Sequence, residues 1–273
     1  MVQRLILIFG LCTLASALLR VPGENFDPQF RIMKGEISFV PYYVYLELAY
    51  RSKEGRIRAF ICGGSLISER HVLTTAHCVI NNALQCQRVF YILAHFGIQR
   101  QNDNTERRTI LAEDVHEHEK YDCNPAYYDV AVLVLKEKVE YSTYIKPVEL
   151  PGPGLTTLML ENQKAIVTGF GKDENGVFPT YLKSTNVTIQ PRPFCAKYKV
   201  PTDHICTDLK DHRGDCGGDS GGPVVINNTV IGLISYGPNT NKQVACEKDT
   251  YSAYTSVIAY TSWIKKQMQA HAG

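Results

Sequence analysis

Residues 218–237 read Gly-Asp-Ser-Gly-Gly-Pro-Val-Val-Ile-Asn-Asn-Thr-Val-Ile-Gly-Leu-Ile-Ser-Tyr-Gly. Two short apolar runs, Val224 to Ile226 and Val230 to Ile234, flank an Asn227-Asn228 pair. Runs of this length, rich in β-branched residues, suit strands better than helices. An Asn-Asn pair between them reads as a hairpin turn, because asparagine tolerates positive φ. The same pattern recurs upstream, at Tyr42 to Leu48, Val72 to Thr75, Val130 to Leu135 and Ala165 to Gly169. Helical spacing stands out only near the C-terminus, where Val257, Tyr260, Ile264 and Met268 recur with Trp263 beside them. The pattern predicts an all-β chain, barrel or sandwich, closed by a terminal helix.

Composition narrows the function. The chain has 273 residues, is 44% hydrophobic and carries a formal net charge of +2. That apolar fraction supports a packed core, and the near-neutral balance is not that of a nucleic-acid binder. Arg4, the apolar run Leu5 to Leu14 and the small residues Ala15-Ser16-Ala17 form a secretory signal pattern over residues 1–17. The run is too short for a membrane span, and no later segment is long and apolar enough for one. The predicted location is therefore secreted and extracellular. Cys12 would leave with the signal, turning an odd nine cysteines into eight. In an oxidising compartment eight cysteines imply up to four disulfides, with connectivity left open by the count alone.

Three local patterns carry chemistry: Thr75-Ala76-His77-Cys78 at the end of an apolar run, Asp129 opening Asp129-Val130-Ala131-Val132-Leu133, and Gly218-Asp219-Ser220-Gly221-Gly222-Pro223 after Cys216. Singly, each has a bland reading as a surface histidine, a turn aspartate or a tight loop. Together they place His, Asp and Ser in order along one chain. A serine hydroxyl is a poor nucleophile unless a neighbouring base takes its proton, and a histidine base needs an orienting group.

On these motifs the chain resembles the chymotrypsin- and trypsin-like serine endopeptidases, from Arg31 to about Met268. The resemblance implies two packed six-stranded antiparallel β-barrels with the active site between them and a C-terminal α-helix. It makes Ser220 the nucleophile, His77 the base, Asp129 its orienting acid and Ser235 a further partner of that acid. The backbone N–H groups of Gly218 and Ser220 would form the oxyanion hole. Residues 18–31 become an activation segment and residues 32–273 the peptidase domain. Cleavage after Arg31 by a trypsin-like enzyme would free the Ile32 amine to pair with Asp219. The family's usual IVGG is here Ile32-Met33-Lys34-Gly35.

By the same resemblance the disulfides are Cys62–Cys78, Cys195–Cys206 and Cys216–Cys246, which leaves Cys86 and Cys123 to pair with each other. Zinc binding by the Cys and His residues is the competing reading, but their spacing matches no finger pattern and the compartment is oxidising. The specificity pocket would involve Gly214, Asp215, Ser235, Tyr236, Gly237 and Ser252. Trypsins carry an Asp six residues before the nucleophile. Here that position is Gly214, with the acid one residue later at Asp215. Two readings stay open: Asp215 attracts Lys or Arg side chains, with a slight lean this way, or it points elsewhere and the pocket is a neutral slot.

Asn186-Val187-Thr188 and Asn227-Asn228-Thr229 fit the N-glycan acceptor pattern at Asn186 and Asn227. The cluster His116-Glu117-His118-Glu119 reads as a solvated loop, with metal binding as the alternative. The stretch Gln99 to Glu106 shows no clear calcium ligand set. No metal and no cofactor are expected. The expected partners are protein or peptide substrates, an activating protease and proteinaceous inhibitors, around a monomeric enzyme. The alternative is a catalytically inactive protease-like binding or regulatory protein.

Overall fold

A computed structural model of the chain describes residues 32, 35–81, 86–101, 108–124, 127–172, 178–209, 213–238 and 250–271. The signal and activation segments, Arg31 and Cys246 lie outside the described residues. The first half runs β1 (Glu36–Ile37), β2 (Tyr43–Arg51), β3 (Ile57–Leu66), β4 (His71–Thr74) and the single-turn α1 (Ala76–Val79). It continues through β5 (Ile80–Asn81), β6 (Gln87–Arg88), β7 (Tyr91–Phe96), β8 (Arg108–Glu117) and β9 (Ala131–Leu135). Strands β2, β3, β4, β9, β8 and β7, in that order, form a closed antiparallel barrel.

Period-two alternation explains this barrel. On β2, Val44, Leu46 and Leu48 point inward and are buried, with Leu46 paired to both Cys62 and Ala94 across the ladder. All five residues of β9 are buried, for a different reason. Ala131, Leu133 and Leu135 fill the barrel. Val130 and Val132 face the other way, into a second cluster with Val148, Val225, Leu233, Val257 and Ile264. Each such side chain contributes about 1.5–3 kcal/mol on burial. The continuous apolar run thus marks a strand with core on both faces, and the second cluster joins the two halves of the molecule.

The second half runs β10 (Lys164–Gly169), β11 (Lys183–Thr188), α2 (Arg192–Lys197), β12 (His204–Asp208), β13 (Pro223–Ile226), β14 (Thr229–Tyr236), β15 (Tyr251–Ser256) and α3 (Val257–Ala270). The predicted hairpin is present. Asn227 and Asn228 turn with φ of 48° and 61°, joining β13 to β14. The terminal helix buries Val257, Tyr260 and Ile264 against the inter-barrel cluster. The second half differs in detail from a closed six-stranded barrel. It is a seven-stranded sheet, β1-β11-β10-β13-β14-β15-β12, in which the short β1 is an extra edge strand. The sheet curls until the ends of β11 and β12 meet through an Ile189–Thr207 bridge and a Gln190 N–H bond to the Cys206 carbonyl.

One expectation is corrected here. His116 and Glu117 are not loop residues but the end of β8, opposite Val132 and Ala131 on β9. His118 follows directly and stacks on Tyr128, 4.9 Å between centroids.

Candidate active site

Strands β4 and β9 are antiparallel neighbours, with Thr74 opposite Ala131. The chain therefore leaves β4 where it enters β9, and His77 and Asp129 meet at that end. Asp129 is fully buried. One carboxylate oxygen accepts the His77 backbone N–H at 2.8 Å, and the other lies 2.8 Å from His77 Nδ1. That second oxygen also accepts the Ser235 hydroxyl at 2.6 Å, from β14. Thr255 on β15 donates to the Asp129 backbone carbonyl at 2.9 Å. The acid is thus gripped from both halves of the molecule.

The electrostatics follow from this grip. Burial alone would push the His77 pKa down. The charge and hydrogen bond of Asp129 outweigh that and hold it above the ordinary histidine value. Burial likewise opposes ionisation of Asp129, but His77 and Ser235 keep its pKa below the usual carboxylate range.

Ser220 lies in the loop before β13. Its carbonyl accepts the Gly63 N–H at 2.7 Å and sits 3.6 Å from Cys78 Sγ, beside His77. This close approach depends on glycine. A Cβ at Gly221, whose φ is 76°, would lie 2.2 Å from Thr74 Oγ1 and 2.6 Å from the Gly63 carbonyl oxygen. Gly218 also has positive φ, 95°. Asp219 between them is fully buried. Its oxygens accept the N–H groups of Gly171 at 2.7 Å and Cys216 at 3.0 Å. Ile32 is fully buried within the core of the second half, close against Gly35.

Two of the expected pocket residues, Asp215 and Ser252, meet at one phenol. Tyr254 donates to Asp215 at 2.8 Å, lies 2.9 Å from Thr207 Oγ1 and also hydrogen-bonds Ser252. Asp215 and Ser252 are both buried. A side chain at Gly214 would meet Leu209 Cδ2, 2.4 Å from the place of a Cβ. Space at 214 is taken, while 215 has a hydroxyl to meet. Tyr236 and Gly237 are partly exposed, and the Tyr236 ring lies 5.7 Å from His204.

Cys62–Cys78, Cys86–Cys123 and Cys195–Cys206 are disulfides, and Cys216 is disulfide-bonded as well. Asn186, on β11, and Asn227, in the hairpin turn, are both exposed. Two contributors escape the motifs: Thr255, which grips Asp129 from behind, and Leu209, which occupies the space beside Gly214. Nothing local announces either, although strand alternation on β15 fixes Thr255 opposite His204.

A closed six-stranded barrel, a curled second sheet and a histidine–aspartate pair at their junction define the fold of a chymotrypsin-like serine endopeptidase. The comparisons agree. The family model for trypsin matches residues 37–264, and the chain belongs to that family. It is 30% identical to a chymotrypsin of Phaedon cochleariae, over 90% of this chain and 85% of that protein. It is 29% identical to Trypsin I-P1 of Gallus gallus, over 86% of each. It is 33% identical to Serine protease grass of Drosophila melanogaster over 78% of this chain, but spans only 61% of that longer protein. Among solved structures, HL collagenase superposes with a TM-score of 0.74 at 27% identity, over 87% of this chain and 99% of that one. An inactive protease-like protein finds no support among these relatives, which are named as proteases. Among the described residues no helix is long and apolar enough to cross a membrane.

Proposed function

We propose that the chain is a secreted zymogen whose residues 32–273 hydrolyse peptide bonds through Ser220, His77 and Asp129. The observation that carries the reading is the two-point hold of Asp129 on His77, at both the backbone N–H and Nδ1. With Nδ1–H committed to the carboxylate, Nε2 is left basic and faces away from the acid. His77 takes the Ser220 proton as the hydroxyl attacks the scissile carbonyl, and Asp129 stabilises the resulting imidazolium. The tetrahedral oxyanion is met by the N–H groups of Gly218 and Ser220, and the positive φ of Gly218 supports that role. His77 then protonates the leaving amine. Water hydrolyses the acyl-enzyme with His77 again as base.

Activation follows from Asp219. Cleavage after Arg31 gives Ile32 a free ammonium, which pairs with this buried carboxylate and orders the adjoining oxyanion loop. Burial of Ile32 in the second core supports the insertion. The pocket takes Lys or Arg, a reading supported by Asp215, a buried acid next to Gly214 that accepts a hydrogen bond from Tyr254. The leader at residues 1–17 directs secretion. Asn186 and Asn227 carry glycans, and proteinaceous inhibitors compete for the same cleft.

The direct test treats the chain, before and after cleavage at Arg31, with an organophosphorus serine probe. Labelling of Ser220 is expected only after cleavage, and Arg31→Gln stays unlabelled. A cleaved chain that does not react at Ser220 overturns the proposal.

A further inference from the structure

A second cluster of reactive side chains lies outside the cleft, where the end of β8 meets the end of α3. Asp114 and His116 are two residues apart on β8, so their side chains share a face. His271 caps the C-terminus of α3 and stacks on His116, with centroids 3.9 Å apart and planes at 25°. One ligand atom from each of the three lies within 4.8 Å of the other two.

The contact between His116 and Asp114 points to an ion. His116 Nε2 is shielded from solvent and has no hydrogen-bond partner among the described residues. An Asp114 carboxylate oxygen sits 3.0 Å away, an ion pair when His116 is protonated. With His116 neutral, the same nitrogen and oxygen are ligand atoms close enough to share one cation. Tetrahedral zinc with bonds of about 2.0–2.2 Å spaces its ligand atoms by roughly 3.3–3.5 Å. The stacked rings have nearly parallel in-plane lone pairs, so His271 must swing off the face of His116 to share an ion with it, and the exposed Asp114 can follow. The last carbonyls of α3 add partial negative charge where the cation would sit.

We propose that Asp114, His116 and His271 form a zinc site that pins the end of the terminal helix to the first barrel. Two imidazoles and one carboxylate suit zinc or a neighbouring first-row metal, while calcium and magnesium require an oxygen shell. Water completes the coordination. The site is independent of the catalytic reading, since it uses none of the cleft residues.

The experiment is calorimetric titration of zinc chloride into the tag-free, EDTA-treated chain, paired with thermal unfolding with and without zinc. One saturable equivalent and a zinc-dependent rise in Tm are expected. His116→Gln and His271→Gln should each weaken binding at least tenfold and abolish the rise in Tm. Peptidase activity in EDTA should be unchanged in both. His77→Ala should keep the equivalent, which separates this site from metal captured by the catalytic histidine. Absence of saturable binding overturns the proposal. So does an equivalent that survives both glutamine substitutions or disappears with His77.

Discussion

Asp129 and Asp215 are both buried acids, and the two regions around them are built on different plans. Two donors from His77 and one from Ser235 converge on the Asp129 carboxylate, and Thr255 holds its backbone. His77 can carry a full positive charge, so the carboxylate faces a partner that titrates. Asp215 is met by the neutral phenol of Tyr254, which in turn touches Thr207 and Ser252. The first region is fixed from several strands and tolerates little movement. The second surrounds its charge with hydroxyls, Tyr254 directly and Thr207 and Ser252 behind it. The difference lies in the partners: a titratable imidazole in one region, hydroxyls in the other.

The largest break in this contrast is Asp129→Asn, which keeps the shape and removes the charge. It should lower kcat by about 10⁴-fold, because the amide favours the wrong histidine tautomer. The pH profile carries a second signature. Activity requires neutral His77, so it is lost as pH falls through the His77 pKa, which Asp129 holds above the ordinary value. Without the carboxylate only the depressing effect of burial remains. The acid limb of residual kcat/KM should therefore move to lower pH. A limb that stays in place would show that Asp129 does not tune the base.

Asp215→Ser tests the other region. For substrates with Lys or Arg before the cut, kcat/KM should fall by about 100-fold. That corresponds to roughly 2.7 kcal/mol, within the usual cost of stripping the partner from a buried charge. Substrates with Phe or Leu there should be cleaved as well as before or better. The reverse pattern, with apolar substrates preferred by the unaltered enzyme, would make the pocket a neutral slot and Asp215 a structural acid.

The two regions were also unequally legible. His77, Asp129 and Ser220 stand in local strings whose chemistry can be argued from the residues alone. The hairpin at Asn227-Asn228 and the fully apolar β9 announce their own geometry. The grip on Asp129 from β15 is different in kind. Thr255 looks like any strand threonine until the register with β12 and β14 brings it behind the acid. Leu209 likewise matters only because the fold places it against Gly214. Strand β8 carries polar and charged residues along much of its length, and β3 is interrupted by Arg58 and the Gly63-Gly64 pair, so no continuous apolar run spans either. For β8 that masking turned His116 and Glu117 into an apparent loop. Pocket specificity depends on such tertiary placement, whereas the triad depends on motifs.

Ser235→Ala gives a graded test of how redundant the Asp129 grip is. It deletes one charge-assisted hydrogen bond, which typically contributes about 1.5–3 kcal/mol. The two His77 contacts stay in place, so a fall in kcat near tenfold is expected, with KM little changed.

Thr255→Val is the smallest and most discriminating change. Valine keeps the shape and the β-propensity of the site but leaves the Asp129 carbonyl without this donor. The same hydroxyl lies 3.4 Å from His204 Nε2, so one substitution loosens Asp129 and the buried His204 together. A neutral hydrogen bond of this kind contributes about 1 kcal/mol, or roughly fivefold. If Thr255 acts by positioning Asp129, the loss should appear in kcat, with KM and the pocket preference unmoved. If it serves only stability, Tm should fall while kcat at a permissive temperature stays the same. A shift in preference between Arg and Phe substrates would mean that the two acid regions communicate through β15, the strand that carries Ser252, Tyr254 and Thr255.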